Sequence, residues 1–439
     1  MSQFPTLFRL RTLALALTLA GAGLAHAAPG DPLRFAFGPG KAPAGYTPVD
    51  AAAPYSASRG YGLEPGTQPN GDAPFYFTVD LPEGNYNVTV TLGDDKVPAT
   101  TTVKAELRRL MLENVQTAAG QSLTRTFTVN VRTPAIPAAN GVEAGTVKLK
   151  APRETEQEAW AWDRRLTLEF NGGMRGRHPA VRSIEIAPAR VPTLFLLGDS
   201  TVCDQPDEPY NSWGQMLPRF FKPGIAVANH GESGETYRDA LGRRRTDKIL
   251  SAMRPGDVLI MQFGHNDQKQ IKDGAGGPFT TYKAEIKTHV DAVRARGGLP
   301  VIVSPMERRR FDDAGKLVPT LADYADAARQ SAAELQVPFI DLNAMSKTLY
   351  TALGPAGSEA AFAEPQPGKL DNTHHSPYGS YELAKAVVLG IQQAQLPIAG
   401  HVVDGFRFDP AHPDPFAGFA VPPSPKVTSL RPLGDEANK

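Results

Sequence analysis

The sequence predicts an α/β fold in which a doubly wound, flavodoxin-like parallel sheet of about five strands follows an all-β sandwich or jelly-roll domain. Between residues 31 and 188, apolar and polar residues alternate with the period of two that is typical of strands. After Pro192, short apolar runs alternate with segments in which apolar residues recur every three to four positions, as in helices. A chain of 439 residues also exceeds what one hydrophobic core usually serves, so two domains are expected.

The first half is predicted to consist of short strands joined by turns. Residues 75–81 alternate, and the alternation resumes at residues 86–92 after the turn Pro82–Asn85. Further strands are predicted near residues 127–131, 166–170 and 181–186, a spacing typical of a sandwich or jelly roll. No catalytic set assembles in this half, so it is expected to pack or to bind. Its aromatic residues would stack on sugar rings if exposed and otherwise form core: Tyr46, Tyr55, Tyr61, Trp160 and Trp162.

The second half repeats the order strand, helix, strand, which predicts a parallel sheet with helices on both faces. The predicted strands are residues 193–197, 225–228, 257–263, 299–303 and 338–342. The first helix is predicted to begin after the capping residue Ser212, and the others to span about 237–253, 282–293, 321–335 and 381–395.

The two ends of the chain have their own patterns. Arg9 and Arg11 precede an apolar stretch and the small-x-small triplet Ala25-His26-Ala27, which predicts a signal peptide over residues 1–27, cleavage after Ala27, and a secreted or periplasmic protein. The alternative is a membrane anchor, for which the apolar stretch is shorter than the roughly 20 residues of a span. The domains are then expected at 28–188 and 192–398. The proline-rich tail, 399–439, is expected either to wrap the surface or to remain mobile.

Composition excludes several classes of partner. Lys plus Arg and Asp plus Glu both total 46, which argues against binding to nucleic acid or to a membrane surface. We expect a monomer. Cys203 is the only cysteine, so an intramolecular disulfide is impossible. Although Cys203 lies three residues from Ser200, a lone cysteine is more often a small buried apolar residue than a nucleophile.

Four polar blocks are predicted to meet at one edge of the parallel sheet. Gly198–Thr201, Asn229–Thr236 and Gly264–Asp267 each follow a predicted strand, and Asp371–Pro377 precedes the last helix. Ligands of such sheets bind beyond the carboxyl ends of the strands. Taken alone, Gly198–Thr201 could be only a turn, because these residue types dominate turns.

Together the blocks contain the groups that serine catalysis requires. Ser200 would be the nucleophile, His374 the base and Asp371 the acid that orients it, since Asp371 and His374 are three residues apart. The backbone N–H groups of Ser200 and Gly234 and the side-chain amide of Asn266 would form the oxyanion hole. The spacing from Asp371 favours His374 over His375 as the base, while His230 and His265 are expected to be structural.

These blocks resemble those of the SGNH (GDSL-type) hydrolases, which supply a Ser, a Gly, an Asn and a His. Thr201 and the form Asp371-Asn372-Thr373-His374 are most similar to the rhamnogalacturonan and pectin acetylesterases. Residues 35–40 and 60–62 resemble the accessory β domain, similar to galactose-binding domains, of some bacterial members. The chain departs from the resemblance at Glu235, where many of these acetylesterases have Arg.

The resemblance implies a secreted esterase that removes acetyl groups from an acidic plant polysaccharide without a cofactor. After the fourth strand, Arg308, Arg309 and Arg310 suit a carboxylated polymer, although they could equally be a solvated charge run. These arginines and Trp213 are the predicted substrate-binding residues.

Other functions fit the sequence less well. A zinc site could use His265, Asp267, His374 and His375, but no His-Glu-x-x-His or Cys pair frames them, and the acids Asp31, Asp50 and Glu64 lack calcium-binding spacing. No metal is therefore assigned. The Gly-x-Ser-x-Gly elbow of another hydrolase fold is absent. A lipase or thioesterase for longer acyl esters, and a catalytically silent carbohydrate-binding protein, remain the alternatives.

Overall fold

In a computed structural model, the described residues are 31–425, except for 39–40, 53, 65–68, 70, 175–177 and 272–275. The predicted signal peptide and the last part of the tail lie outside the described residues. No helix in the described part of the chain has both the length and the hydropathy needed to cross a membrane.

The first half folds into two stacked five-stranded sheets. Their orders are β2-β1-β12-β5-β8 and β3-β4-β11-β6-β7, and all pairs except β1 with β2 are antiparallel. The apolar faces meet in one core that includes Phe77, Val88 and Ile184. The strands are β1 (Leu33–Ala36), β2 (Thr47–Pro48), β3 (Tyr61–Leu63), β4 (Phe75–Asp80), β5 (Gly84–Leu92), β6 (Ala99–Ala105), β7 (Arg109–Thr117), β8 (Leu123–Val131), β9 (Ala135–Ile136), β10 (Gly145–Thr146), β11 (Arg165–Asn171) and β12 (Val181–Pro188).

The strands predicted in this half are confirmed, but seven others among the described residues were not predicted, of which β6 and β7 are the longest. β6 and β7 lack alternation because β6 is buried along its whole length and β7 is buried where it meets the second half. Lys104 of β6 donates hydrogen bonds to the tail, and Arg109 of β7 pairs with Asp204 of the second half at 2.7 Å. A strand covered on both faces loses the polar positions that mark an exposed face.

The second half contains a parallel five-stranded sheet with the order β14-β13-β15-β16-β17, which confirms the predicted doubly wound fold. Helices cover both faces, and a separate apolar core fills each side. The strands are β13 (Thr193–Gly198), β14 (Ala226–Asn229), β15 (Val258–Gln262), β16 (Leu299–Val303) and β17 (Phe339–Ile340). The helices are α1 (Trp213–Met216), α2 (Tyr237–Gly242), α3 (Arg245–Ala252), α4 (Lys283–Arg294), α5 (Ala322–Leu335), α6 (Leu342–Gly357) and α7 (Pro377–Gln393).

Two helical predictions need correction, and one helix was not predicted. The helix predicted over residues 237–253 is divided into α2 and α3 at Arg244, whose φ of 62° breaks the helical path. The helix after Ser212 ends as α1 after four residues and continues as a 3₁₀ turn that contains Pro218. Helix α6 was not predicted.

The two halves share a continuous interior. Leu107 and Leu110, at the turn between β6 and β7, pack into the two cores of the parallel sheet, one on each side. The tail closes the arrangement from outside: Lys104 Nζ donates to the carbonyl oxygen of Pro422 at 2.7 Å, and Asn171 Nδ2 donates to that of Pro423 at 2.8 Å. The described part of the tail therefore wraps back onto the β half, one of the two arrangements expected for it.

Candidate active site

The four polar blocks lie together at the carboxyl edge of the parallel sheet. Asp199 and Ser200 directly follow β13, residues 230–236 follow β14, and Gly264–Asp267 follow β15. The block Asp371–Ser376 lies directly before α7, whose N-cap is Ser376. Because parallel strands end on the same side, residues that are up to 174 positions apart in sequence become neighbours here.

The turn after β13 holds Ser200 in place. Gly198 is required because a Cβ atom there would lie 2.4 Å from Val202 Cγ2 and 2.6 Å from the carbonyl oxygen of Gln262. Asp199 Oδ1 accepts hydrogen bonds from the backbone N–H and the hydroxyl of Thr201, at 2.9 and 2.7 Å. The segment is thus a tight turn, as its composition suggests, and the turn also places the Ser200 hydroxyl at the sheet edge.

Ser200, His374 and Asp371 form one hydrogen-bonded chain. His374 Nε2 lies 2.9 Å from Ser200 Oγ, and His374 Nδ1 lies 2.8 Å from Asp371 Oδ2. Asp371 Oδ1 also accepts the backbone N–H groups of Thr373 and His374, at 2.7 and 2.9 Å. In this arrangement the carboxylate orients the imidazole and leaves Nε2 free to take the serine proton.

The surroundings of Asp371 keep it ionised. Burial by itself raises the pKa of Asp371, but the hydrogen bond and charge of His374, with the two backbone N–H donors, lower that pKa to about 2. A carboxylate that stays charged stabilises the imidazolium formed when His374 accepts a proton.

The predicted oxyanion residues lie on adjacent loops. Gly234 has a φ of +75°, a conformation that glycine adopts without strain. Asn266 Nδ2 donates to the carbonyl oxygen of Glu235 at 3.2 Å, and Asn266 Oδ1 accepts from Lys269 Nζ at 2.9 Å. These two contacts set the orientation of the amide, so that its NH₂ group faces the loop that carries Gly234 and Glu235.

The remaining histidines in this region are occupied by structural contacts. His375 Nε2 lies 2.6 Å from the Tyr350 hydroxyl, and burial lowers the pKa of His375 to about 3. His265 Nδ1 lies 3.2 Å from Asp199 Oδ2. The ring of His230 packs against Trp162 and Phe195, with ring centroids 5.8 Å apart in both pairs, and burial lowers the pKa of His230 well below its usual value. Because His374 faces Ser200 and His375 faces Tyr350, the two adjacent histidines do not converge on one ligand.

One cluster of carboxylates has the spacing of a metal site. Ligand oxygens of Glu154, Glu158 and Glu232 lie within 4.8 Å of one another. However, Arg153 Nε lies 3.3 Å from Glu232, and Arg245 pairs with Glu154. Burial and the charge of Glu232 also raise the pKa of Glu158, which favours its protonated form. Arginines therefore already compensate much of the charge that a cation would neutralise.

Two neighbouring residues have surroundings that explain their sequence. Cys203 is buried, and burial raises the pKa of its thiol well above the usual value, which leaves the thiol protonated and unreactive. Glu235, where the resemblance leads one to expect Arg, is also buried and pairs with Arg245 at 3.0 Å and Arg243 at 3.2 Å. The negative charge at this position, where a positive one was expected, is therefore compensated by Arg245 of α3 and by Arg243, which precedes α3.

The predicted substrate contact of Trp213 is wrong. Its side chain is 1% exposed, and its indole N–H donates to Gln262 Oε1 at 2.8 Å inside the core. Apolar periodicity after Ser212 reflects burial of α1 rather than a sugar-binding surface. Trp160 and Trp162 of the β half are likewise buried, which excludes them as exposed stacking platforms.

The predicted arginines line a cleft of about 510 Å³ beside the catalytic block. Arg308 donates to Gln268, Thr320 and the carbonyl oxygen of His265, all neutral acceptors. Arg310 is exposed. Within the described residues, the guanidinium groups of Arg308 and Arg310 form no ion pair with a carboxylate, unlike that of Arg309. Burial lowers the pKa of Arg308. We define the arginine cleft by its lining residues: Gln268, Arg308, Arg309, Arg310, Pro319, Thr320 and Asn372.

Arg309 differs from its two neighbours. Its guanidinium donates to Ser358 Oγ at 3.0 Å and to the carbonyl oxygen of Pro355 at 2.6 Å, and it pairs with Glu359 at 3.2 Å. The protein itself therefore satisfies this side chain, and the predicted substrate-binding role does not fit Arg309.

Tyr210 also borders the site, although it was not predicted from the sequence. Its ring stands edge-on to the imidazole of His374, with ring centroids 5.8 Å apart. Burial and the charge of Asp371 raise the pKa of its phenol. Tyr210 lies in an irregular loop without periodicity, so nothing in the sequence pattern marks it.

A flavodoxin-like sheet whose carboxyl edge carries a Ser–His–Asp hydrogen-bonded chain beside a glycine and an asparagine has the arrangement expected from the resemblance to the SGNH-type hydrolases. Comparison with known proteins agrees. Residues 196–379 match the GDSL-like Lipase/Acylhydrolase family. The rhamnogalacturonan acetylesterase RhgT of Bacillus subtilis is 40% identical over 220 residues, which are 48% of this chain and 94% of RhgT.

A longer similarity covers both halves. The uncharacterized esterase YxiM of Bacillus subtilis is 26% identical over 388 residues, or 81% of this chain and 89% of YxiM. The crystal structure of YxiM matches 83% of this chain and 99% of its own, with a TM-score of 0.45 and 24% identity. The chain belongs to the GDSL-like lipase/acylhydrolase family, which confirms the resemblance seen in the sequence, and it is an ester hydrolase.

Proposed function

We propose that the protein is a secreted or periplasmic acetylesterase that acts on an acetylated acidic plant polysaccharide of the rhamnogalacturonan type. The observation that carries the proposal is the hydrogen-bonded chain from Ser200 through His374 to Asp371. The similarity to RhgT, whose name states this activity, supports the choice of substrate.

The geometry supports a two-step acyl transfer. Ser200 Oγ attacks the acetyl carbonyl carbon while His374 Nε2 takes the hydroxyl proton, and the carbonyl oxygen becomes an oxyanion. The N–H groups of Ser200 and Gly234 and the Asn266 amide stabilise this charge. The intermediate collapses to an acetyl-serine, and His374 returns the proton to the departing sugar alcohol. Water, deprotonated by His374, then attacks the acetyl-serine; the bond from Ser200 Oγ to the acetyl carbon breaks, His374 returns the proton to Ser200 Oγ, and acetate is released.

Polymer specificity is proposed to come from the arginine cleft. Guanidinium groups bind carboxylates in a bidentate fashion, and Arg308 and Arg310 have no carboxylate partner within the described part of the chain. The backbone N–H of Arg309 donates to the carbonyl oxygen of Asn372 at 2.8 Å, which joins the cleft to the residue that follows Asp371. A uronate carboxylate bound there would place a neighbouring acetylated sugar near Ser200.

We expect acetate release to be fastest from acetylated rhamnogalacturonan, slower from acetylated homogalacturonan, and slowest from neutral acetylated xylan. The ordering follows from the charge of the cleft and from the similarity to RhgT. The measurement is acetate release at equal acetyl-ester concentration, with 4-nitrophenyl octanoate tested in parallel. Faster turnover of the octanoate than of every acetylated polymer would instead favour the lipase or thioesterase alternative. No turnover of any ester would favour the silent carbohydrate-binding protein.

Replacing Arg310 or Arg308 by Gln is expected to raise KM for acidic acetylated oligosaccharides about 10- to 100-fold, because a charged hydrogen bond contributes about 1.5–3 kcal/mol and each 1.4 kcal/mol is about tenfold. KM for neutral acetylated xylo-oligosaccharides should stay within about twofold of wild type. The matched control is Arg329→Gln, which removes the same charge from a half-exposed side chain on α5. Equal effects on acidic and neutral substrates would rule out a carboxylate subsite in this cleft.

A further inference from the structure

A segment of the β half lies against the loop that carries Gly234. The segment is residues 147–158, which lead from β10 toward β11, and we call residues 229–236 the oxyanion loop. Lys148 N–H donates to the carbonyl oxygen of Arg243 at 2.9 Å, which ties the segment to the residues after α2. Lys150 and Arg153 reach from the segment to Ser233, the residue before Gly234.

Lys150 contacts the peptide group that includes the Gly234 N–H. Its ammonium donates a hydrogen bond to the carbonyl oxygen of Ser233, and a Cβ atom at Gly234 would lie 3.9 Å from Lys150 Nζ. The Ser233 carbonyl and the Gly234 N–H belong to the same planar trans peptide and point in opposite directions. A donor that fixes the carbonyl on one side therefore fixes the direction of the N–H on the other.

This peptide needs to be held by its surroundings. Gly234 has a φ of +75°, and glycine populates positive and negative φ about equally. Rotation of the Ser233–Gly234 peptide is consequently less restricted by local sterics than that of other peptides. If the peptide turned over, the N–H would point away from the oxyanion and the carbonyl oxygen would take its place.

We propose that Lys150, which the β half supplies, is a positioning residue of the oxyanion hole, because it holds the Ser233–Gly234 peptide with its N–H directed to the oxyanion. The inference rests on the proposed catalytic roles of Ser200 and Gly234. If Lys150 has this role, the β half contributes directly to the active site and is not an independent domain.

The charges around Lys150 keep its ammonium at the peptide. Glu232 and Glu235, both buried, lie 3.7 and 3.6 Å from Lys150 Nζ. A cation at the carbonyl end of a peptide polarises the peptide, which makes its N–H a stronger hydrogen-bond donor. Lys150 thus strengthens the oxyanion hole as well as aligning it.

Arg153 supports the same loop through the side chain of Ser233. Its guanidinium donates to Ser233 Oγ at 2.8 Å and to Gln205 Oε1 at 3.2 Å. Gln205 Nε2 in turn donates to the carbonyl oxygen of Ser200 at 2.7 Å. One short segment of the β half is therefore linked to both the oxyanion loop and the nucleophile.

The test is Lys150→Met in the full chain, with 4-nitrophenyl acetate as the substrate and phenylboronic acid as a probe of the tetrahedral state. We expect kcat to fall about 10- to 100-fold, because misplacing a catalytic group by about 1 Å can cost about 10²-fold. KM should stay within about twofold, and the inhibition constant of phenylboronic acid should rise in step with the loss of kcat. Lys150→Arg, which keeps a charged donor, should have a kcat at least tenfold higher than that of Lys150→Met.

The matched control is Lys148→Met, which removes an exposed lysine two residues away. In the Lys150 variants, Glu232 retains its ion pair with Arg153, and Glu235 retains its ion pair with Arg245. The buried carboxylates therefore keep a compensating charge, and thermal unfolding of each variant tests whether the fold is intact. Lys150→Met with kcat and boronate affinity within twofold of wild type would overturn the proposal, as would equal losses in Lys150→Met and Lys150→Arg. Boronate binding measures the oxyanion hole whatever the natural substrate. A wild-type protein that binds boronate but releases no acetate from polysaccharide would thus contradict only the proposed substrate.

Discussion

Ser200→Ala is expected to lower ester hydrolysis by about 10⁴- to 10⁶-fold while the fold remains intact, since loss of a triad nucleophile removes the covalent route. The substitution deletes one oxygen, which lies 2.9 Å from His374 Nε2, and it leaves the backbone N–H in place. Activity is measured as acetate release from an acetylated polymer and as turnover of 4-nitrophenyl acetate. Thermal unfolding should stay within a few degrees of wild type.

The control for this prediction is Cys203→Ala. The thiol is the other potential nucleophile close to Ser200 in the sequence, but it is buried and its pKa is raised by burial. We expect Cys203→Ala to keep activity within about threefold of wild type. If Ser200→Ala kept more than about a hundredth of the activity, Ser200 would not be the nucleophile.

Asp371→Asn is expected to lower kcat about 10⁴-fold with little change in KM. An amide at this position cannot stabilise an imidazolium, and it favours the wrong tautomer of His374. The backbone N–H groups of Thr373 and His374 donate to Asp371 Oδ1, and the side-chain oxygen of an asparagine can accept the same two hydrogen bonds. The geometry of the loop should therefore be preserved. Single-turnover measurement of acetyl-serine formation isolates the step that requires the proton transfer.

The chain offers a matched control for this substitution. Asp409 and His412 have the same Asp-x-x-His spacing, and their side chains also pair, at 2.7 Å, but both are exposed. Asp409→Asn should leave kcat unchanged. A comparable loss in both variants would show that the effect at Asp371 is not specific to the triad.

The lowered pKa of Asp371 also determines the pH range in which its interaction with His374 stabilises the folded protein. A folded-state pKa of about 2, below the ordinary value of 3.8, means that the interaction stabilises the folded protein above about pH 4 and is lost as the pH falls toward 2. The difference in melting temperature between wild type and Asp371→Asn should therefore be present at neutral pH and shrink in strong acid. A difference that grew on acidification would contradict this.

Much of the fold could be predicted because each half shows its own regular period. The strands of the β half alternate where one face is solvated, and the strands of the second half are continuous apolar runs because both faces are covered. The failures have two causes, which are burial that hides the period and a backbone break that no periodic pattern marks. β6 and β7 are covered by the tail and the second half, and the α2–α3 break depends on the backbone of one residue, Arg244.

The catalytic blocks could be recognised from sequence because each lies in a short contiguous motif after a strand. Gly198–Ser200, Gly234, Asn266 and Asp371–His374 each combine a turn with a chemical group, and parallel strand ends place such motifs on one edge. Trp213 was assigned wrongly because apolar residues have the same pattern in a core and on a binding surface. Only accessibility, which depends on packing, separates the two.

By itself, then, the sequence determined the class of fold, the family and the four candidate catalytic blocks, all of which follow from local patterns. Only the tertiary structure decided that Lys150 and Arg153 of the β half reach the oxyanion loop, and that Tyr210 stands against His374. Contacts between residues some 80 positions apart leave no periodic signal, because they are determined by how the two halves pack rather than by neighbouring residues.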